Sequence, residues 1–212
     1  MELGKLSEQY ESNGDVGAIS NGYNDAGGVS YGLYQLSSVY GSVDEFIKWA
    51  LNSDNTVYKQ YGEYLSGAKV GTDLFNAFWQ CLADEDSTGF AQMQHDYIKH
   101  AYYDRAVELL RKAYLNIENH SDALKQVVWS RAVQYGVNNI VDMFTQALNY
   151  FPEQYPNLSY VDAIRFDWDL INGIYEVCKT EEWNNSALRD SLNSRFDSEK
   201  KKALNLFEKE VK

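Results

Sequence analysis

Two carboxylates near the start of the chain have the types and the setting for acid–base work. Glu11 stands where an apolar pattern (Leu3, Leu6, Tyr10) predicts that a first helix ends, and Asp25 follows in a glycine-rich run. A carboxyl held at a helix end against an apolar wall is desolvated in its charged form, so its pKa rises. It then stays protonated near neutral pH and serves as a general acid. Tyr10, Tyr31 and Tyr34 are the candidate wall. A second carboxylate, kept ionised by solvent and hydrogen bonds, activates water. Two carboxylates on opposite sides of a sugar ring are what glycoside hydrolysis requires. The same residues also have an inert reading, with Glu11 as a surface residue at a helix end and Asp25 as a turn residue in NDAGG.

The elements that must position these groups read as helices around one irregular segment. Between Tyr10 and Gln35 stand Gly14, Gly17, Gly22, Gly27, Gly28 and Gly32 and no proline, which predicts a loop with a short ribbon. SVDEFIKWAL opens with Ser42 and has Glu45 three residues on, a capping-box pattern. VYKQYGEYL and TDLFNAFWQCLA are further helical patterns, and FAQMQHDYIKHAYYDRAVELLRKAYL is the longest periodic run. SDALKQVVWSRAVQYG begins with Ser121 as N-cap and stops at Gly136. Ser159 with Asp162 opens a further helix, and the C-terminal segments read as packed helix with a solvated charged face. No repeat and no linker composition appears, so the expectation is one domain over residues 1–212, all-α or mainly α with a small β ribbon, of about eight to ten helices.

Composition narrows the partners. A length of 212 residues, 44% of them hydrophobic, buries a sizeable core. The net charge of -12 repels phosphates, which excludes ordinary nucleic-acid binding and favours neutral or cationic partners. Aromatic residues make up 15% of the chain, a content that suits either sugar stacking or an aromatic core; Trp79, Trp129, Trp168 and Trp183 sit among apolar neighbours at helical spacing, which favours the core. Cys81 and Cys178 fit no metal motif and read as buried free thiols, and His95, His100 and His120 form no HExxH pattern. No metal and no cofactor is expected. MELGKLSEQY lacks the apolar core of a secretion signal, and no run reaches the length of a membrane span.

The glycine-rich segment resembles a known family. Glu11-Ser12, then an aspartate, then GGVSYGLYQLSS (27–38) resembles the signature of lysozyme-like glycosidases, the goose-type lysozymes and lytic transglycosylases. It looks closest to the catalytic domains of phage endolysins and tail-associated wall hydrolases. QVVWSRAVQYG and the aromatic pattern from Phe90 extend the likeness more weakly along the chain. The resemblance implies a lysozyme-like fold with an active-site cleft, Glu11 as general acid and Asp25 in the aspartate position, with Asp15 as an alternative base. It implies that Ser30 and Tyr31 line the cleft floor and that Gly32 lets sugar approach the backbone. Tyr34 and Gln35 fall in the Gly-Leu-aromatic-Gln segment as substrate contacts, and Gln134 faces the cleft. The expected activity is a muramidase-type peptidoglycan β-1,4-glycosidase acting as a monomer on bacterial glycan strands. It would be made in the cytoplasm and reach the wall after release, or within a phage particle or larger protein. A lytic transglycosylase or a chitosanase-like enzyme on the same fold is one alternative, and an inactive wall-binding or phage-tail structural module is another of a different class. The chain departs from the goose type in lacking a disulfide framework.

Overall fold

Caps and close glycine approaches set where the elements begin. In the computed structural model, which describes residues 3–6, 14–20 and 28–212, a short antiparallel ribbon pairs β1 (Ser30–Tyr31) with β2 (Leu36–Ser37), Ser30 opposite Ser37 and Tyr31 opposite Leu36. Helix α1 (Ser42–Leu51) follows directly. The capping box expected from Ser42 and Glu45 does not form. Gly41 is the N-cap, at φ 76°, and Ser42 is already helical. The Ser42 hydroxyl is taken by the ribbon instead: its Oγ accepts from Ser37 N at 2.7 Å and donates to Ser37 O at 3.2 Å. A side chain committed to closing the ribbon cannot also cap, and a left-handed glycine turns the chain into the helix.

The next helices begin as local chemistry dictates. Asn55 caps α2 (Thr56–Ser66) from Val57 N and Tyr58 N, Thr72 caps α3 (Asp73–Glu85) from Phe75 N, and Asp86 caps α4 (Ser87–Ile98) from Gly89 N. Tyr58 on α2 donates to Asp96 on α4 at 2.6 Å, tying the two helices. These elements, with the ribbon, form one compact unit, Glu8–Lys99. Its core is aromatic. Trp79 meets Phe90 edge-on at 4.8 Å, Tyr31 at 5.2 Å and Phe46 at 5.7 Å, and Phe46 in turn meets Tyr97 at 5.2 Å. Much of the aromatic content is therefore spent on packing.

The second unit comprises His100–Lys212 with Met1–Ser7. The longest periodic run of the sequence is helical as far as Lys112 but changes pitch. α4 passes through a π-helical stretch, Lys99–Asp104, into α5 (Arg105–Lys112). Ser121 caps α6 (Asp122–Tyr135) from Leu124 N, and Gly136 ends it at φ 81°. After α7 (Ile140–Ala147), the helix expected from Ser159 begins later. Residues 158–161 and 164–166 form 3-10 turns and α8 is Asp167–Lys179, because Asp162 and Asp167 are drawn onto the His120 segment. Gly173 of α8 lies so close to α7 that a Cβ there would stand 3.1 Å from the Ala147 Cβ. The C-terminal charged segments form a single helix, α9 (Arg189–Glu210), burying Phe196, Glu199, Ala203 and Phe207. Of the tryptophans, Trp79 and Trp129 are wholly buried, while Trp168 is 40% exposed. Both cysteines are free, Cys178 buried and Cys81 half-buried. The described chain is thus mainly helical with one small ribbon. The predicted first helix falls largely outside the described residues; residues 3–6 form a turn.

α6 is buried on several sides and carries a charge into the core. Arg131 is fully buried, pairs with the equally buried Glu199 of α9, and donates to Ser130 Oγ at 2.8 Å. Its guanidinium lies 5.1 Å from the Tyr175 ring and 5.2 Å from the Phe196 ring. Arg195 closes the other side of Glu199 at 2.8 Å. Burial works against the Arg131 charge, yet the neighbouring Cys178, Tyr175 and Glu199 hold its pKa above the ordinary value. Glu199→Ala is expected to destabilise this unit by about 3–5 kcal/mol, because Arg131 is left charged and unpaired, whereas Arg131→Met with Glu199→Leu costs far less. Urea unfolding of the two variants checks this.

The Tyr61 hydroxyl and, after it, the Gly89 N–H hold Asp86 below the usual carboxylate range, while burial and then Asp86 push Tyr61 up to about 12. A lowered folded pKa means that the contribution of Asp86 is present above the ordinary aspartate range and is lost as pH falls through the lowered value. Asp86→Asn is expected to flatten that part of the acid limb of stability, read by thermal melts across acidic pH.

Candidate functional site

The loop that carries Asp15 is shaped by one glutamine. Gln94, 1% exposed, sits on the inward face of α4. Its Nε2 donates to Val16 O at 3.1 Å and its Oε1 accepts from Leu33 N at 2.8 Å. Trp79 Nε1 donates to the same Val16 carbonyl at 3.1 Å. The two chain segments are zipped together beyond this clamp: Gly32 N donates to Ala18 O at 2.7 Å, Ile19 bridges Tyr31, and Ser20 N donates to Ser30 O at 2.9 Å. Gly32 has no room for a side chain. It has φ +69°, and a Cβ there would strike Gln94 Oε1 and lie 2.7 Å from Trp79 Cζ2.

Beside this clamp lies a polar groove of about 560 Å³. Gly14, Asp15, Val16 and Gly17 form one wall; Gln80, Ala83 and Asp84 of α3 and Ser87 of α4 form the other. The walls touch where Gly17 meets α3, since a Cβ on Gly17 would stand 3.0 Å from the Ala83 Cβ. Asp15 is fixed by an Asx turn, its Oδ1 accepting from Gly17 N at 2.9 Å. Among the described residues the lining holds two carboxylates, an amide and a hydroxyl, and no lysine, arginine or histidine. Among the described residues no group of three or more His, Cys, Asp or Glu is placed to hold a metal ion, and no helix is long and apolar enough to cross a membrane.

Of the residues singled out in the sequence, Glu11, Asp25 and Tyr10 lie outside the described residues. Asp15 lines the groove. Ser30 is buried in β1, its N–H donating to Ser20 Oγ at 2.8 Å. Tyr31 is wholly buried; its hydroxyl donates to Asn76 at 2.6 Å, and burial raises its pKa. Its ring packs in the core rather than on a cleft floor. Gly32 serves the Gln94 clamp, and Tyr34 is half-buried. Gln35 is exposed at φ 50° and its Nε2 donates to Gly32 O within its own turn at 3.0 Å. Gln134 is on α6, in the other unit, with its side-chain oxygen buried and unpaired. Sequence reasoning passed over Gln80, Asp84, Ser87 and Gln94. For Gln94 a signal existed: it interrupts the apolar stripe of Phe90, Met93 and Tyr97, and a polar residue inside such a stripe needs a partner.

A family model described as type VI secretion system spike protein VgrG3-like, C-terminal, matches residues 3–200. The chain belongs to that family. It is also similar to the type VI secretion system spike protein VgrG3 of Vibrio cholerae serotype O1, at 38% identity over 135 residues, which is 63% of this chain and 12% of that protein. The chain therefore spans a small part of the curated relative it matches. Membership in the VgrG3-like family corrects the lysozyme-like resemblance drawn from Glu11-Ser12 and the 27–38 segment, and with it the muramidase activity expected from that resemblance. The physical reason shows in the described part of that segment. Its glycine, aromatic and glutamine residues close a ribbon turn and pack the core, needs that a tight loop on a helix pair meets with the same residue types whatever its chemistry.

Gln94→Leu is expected to leave the Leu33 N–H without its acceptor and to destabilise the Glu8–Lys99 unit by about 1–3 kcal/mol. Faster amide exchange at Leu33, with exchange in α9 unchanged, is the measurement that checks it.

Proposed function

We propose that this chain is a wall-engaging structural module carried at the C-terminal end of a type VI-type secretion spike, and that its partner is the peptidoglycan of a bacterial cell wall. The observation that carries this reading is the family match over residues 3–200, which takes in most of both compact units. The relative at 38% identity is itself a spike protein, so a module borne by a larger assembly fits better than a free-standing enzyme. The charge of -12 and a groove whose described lining has no basic residue support a neutral or cationic polymer as partner over nucleic acid.

The purified chain is expected to pellet with peptidoglycan sacculi and to remain in the supernatant with DNA–cellulose. Loss of pelleting on sacculi would sink the proposal. Cleavage is a separate property, decided by the same experiment. Pelleting without soluble reducing ends makes the module a binder, whereas release of reducing ends in proportion to protein makes it a glycoside hydrolase.

A further inference from the structure

We infer that the surface formed by Arg165 and Trp168, where an aromatic loop runs into α8, binds the neutral glycan backbone of the wall by stacking a sugar ring on Trp168. The wall as the source of the glycan rests on the reading above; the sugar chemistry of the surface does not. The aromatic content of the sequence suits either sugar stacking or a core, and burial separates the two uses. Trp79 and Trp129 are wholly buried, Trp49 and Trp183 are half-buried, and Trp168 is 40% exposed.

Arg165 and Trp168 are three residues apart where the 3-10 turn 164–166 leads into α8, so both lie on one side of that helical run. The Arg165 guanidinium stacks on the Phe166 ring at 4.7 Å. Stacking occupies its face and leaves the N–H groups around its planar edge free to donate. Among the described residues no acceptor takes them, and none takes the Trp168 indole N–H. Glu153 accepts instead from the Tyr155 hydroxyl at 3.0 Å, and Asp169, four residues beyond Arg165, forms no ion pair with it.

The surface is rigid before any ligand arrives. Pro152 and Pro156, the two prolines of the chain, flank Glu153–Tyr155 and fix φ at both ends of that segment. Tyr155 is wedged edge-on between Phe151 at 5.6 Å and Phe166 at 5.5 Å. At the start of α8, Asp167 accepts from Ser121 N at 2.7 Å, and Asn172 Nδ2 donates to Trp168 O at 2.8 Å. Little ordering therefore remains to oppose binding.

These features select a sugar. One face of a pyranose ring is made of C–H groups and covers a flat indole. Its hydroxyl and acetamido oxygens are uncharged acceptors for the guanidinium and indole N–H groups. Tryptophan and arginine also anchor protein interfaces, where an exposed arginine pairs with a carboxylate. A chain of net charge -12 repels an acidic partner, whereas a neutral glycan escapes that repulsion.

Titration of the full chain with an N-acetylglucosamine tetramer, followed by proton–nitrogen correlation spectra and calorimetry, tests the inference. The indole cross-peak of Trp168, identified as the one missing from the Trp168→Phe spectrum, is expected to shift in the unaltered chain. Trp168→Ala and Arg165→Ala each remove an exposed side chain and are expected to keep the circular dichroism spectrum. Each is expected to bind the tetramer about fivefold or more weakly. No binding of the tetramer, a stationary Trp168 cross-peak, or unchanged affinity in either variant overturns the inference and leaves a protein as the occupant of this surface. Sacculi that pellet the chain while the Trp168 cross-peak stays still in the tetramer would remove this inference and leave wall engagement standing. A tetramer that binds at Trp168 while sacculi fail to pellet the chain would do the reverse.

Discussion

The Gln94 side-chain amide is the constraint on which the site depends. It satisfies one backbone acceptor, at Val16, and one backbone donor, at Leu33, from a helix far along the chain. A loop rich in glycine has high conformational entropy to lose, and buried peptide groups without partners cost free energy. One amide on a packed helix removes both problems, because it pairs two loop segments and holds them against the Trp79 ring. Gly32 is the consequence: the backbone must come so near Gln94 and Trp79 that no side chain fits. The groove walls follow, since the loop carrying Asp15 is seated on α3 through Gly17 and Ala83.

The other unit rests on a different device. α6 places a guanidinium in the core, and three aromatic rings and the Glu199 carboxylate receive it. A buried ion pair of this kind adds little net stability over an apolar core, but it strongly penalises any packing that separates the partners. It therefore acts on register: α9 is placed against α6 where Glu199 meets Arg131, and Phe196, Ala203 and Phe207 follow on the same face. The cluster around the buried His120 and Asp167 performs a similar service within the same unit. Asp162 accepts from Asn116 and Asn119 and Asp167 accepts from Ser121, which binds the segment before α6 to the segment before α8.

The two units together make up a member of the VgrG3-like C-terminal family, and among the described residues the groove gathers four polar side chains, Asp15, Gln80, Asp84 and Ser87. Among the described residues acidic side chains line it without basic ones, in a chain whose overall charge has the same sign. The field in the groove and the field of the whole chain thus reinforce one another.

By itself the sequence determined what depends on neighbours in the chain. The Ser121 cap and the Gly136 stop of α6, the helical period through the run that becomes α4 and α5, the mainly helical class with a small ribbon, and the sign of the charge were all legible. Each is a property of a few consecutive residues or of a sum. Only the tertiary structure decided where particular side chains are spent. Ser42 closes the ribbon instead of capping its helix, Tyr31 turns into the core, and Asp15 comes to share a groove with Asp84. Gln94 reaches residues 61 and 78 positions away, and no local pattern encodes such a partner. The Gly28-to-Gln35 stretch shows the limit most plainly. Its residue types suit a ligand-facing loop and a packed ribbon turn equally well, because close backbone approach calls for the same glycines in both, and only the surroundings show that Gly32 and Tyr31 are spent on packing.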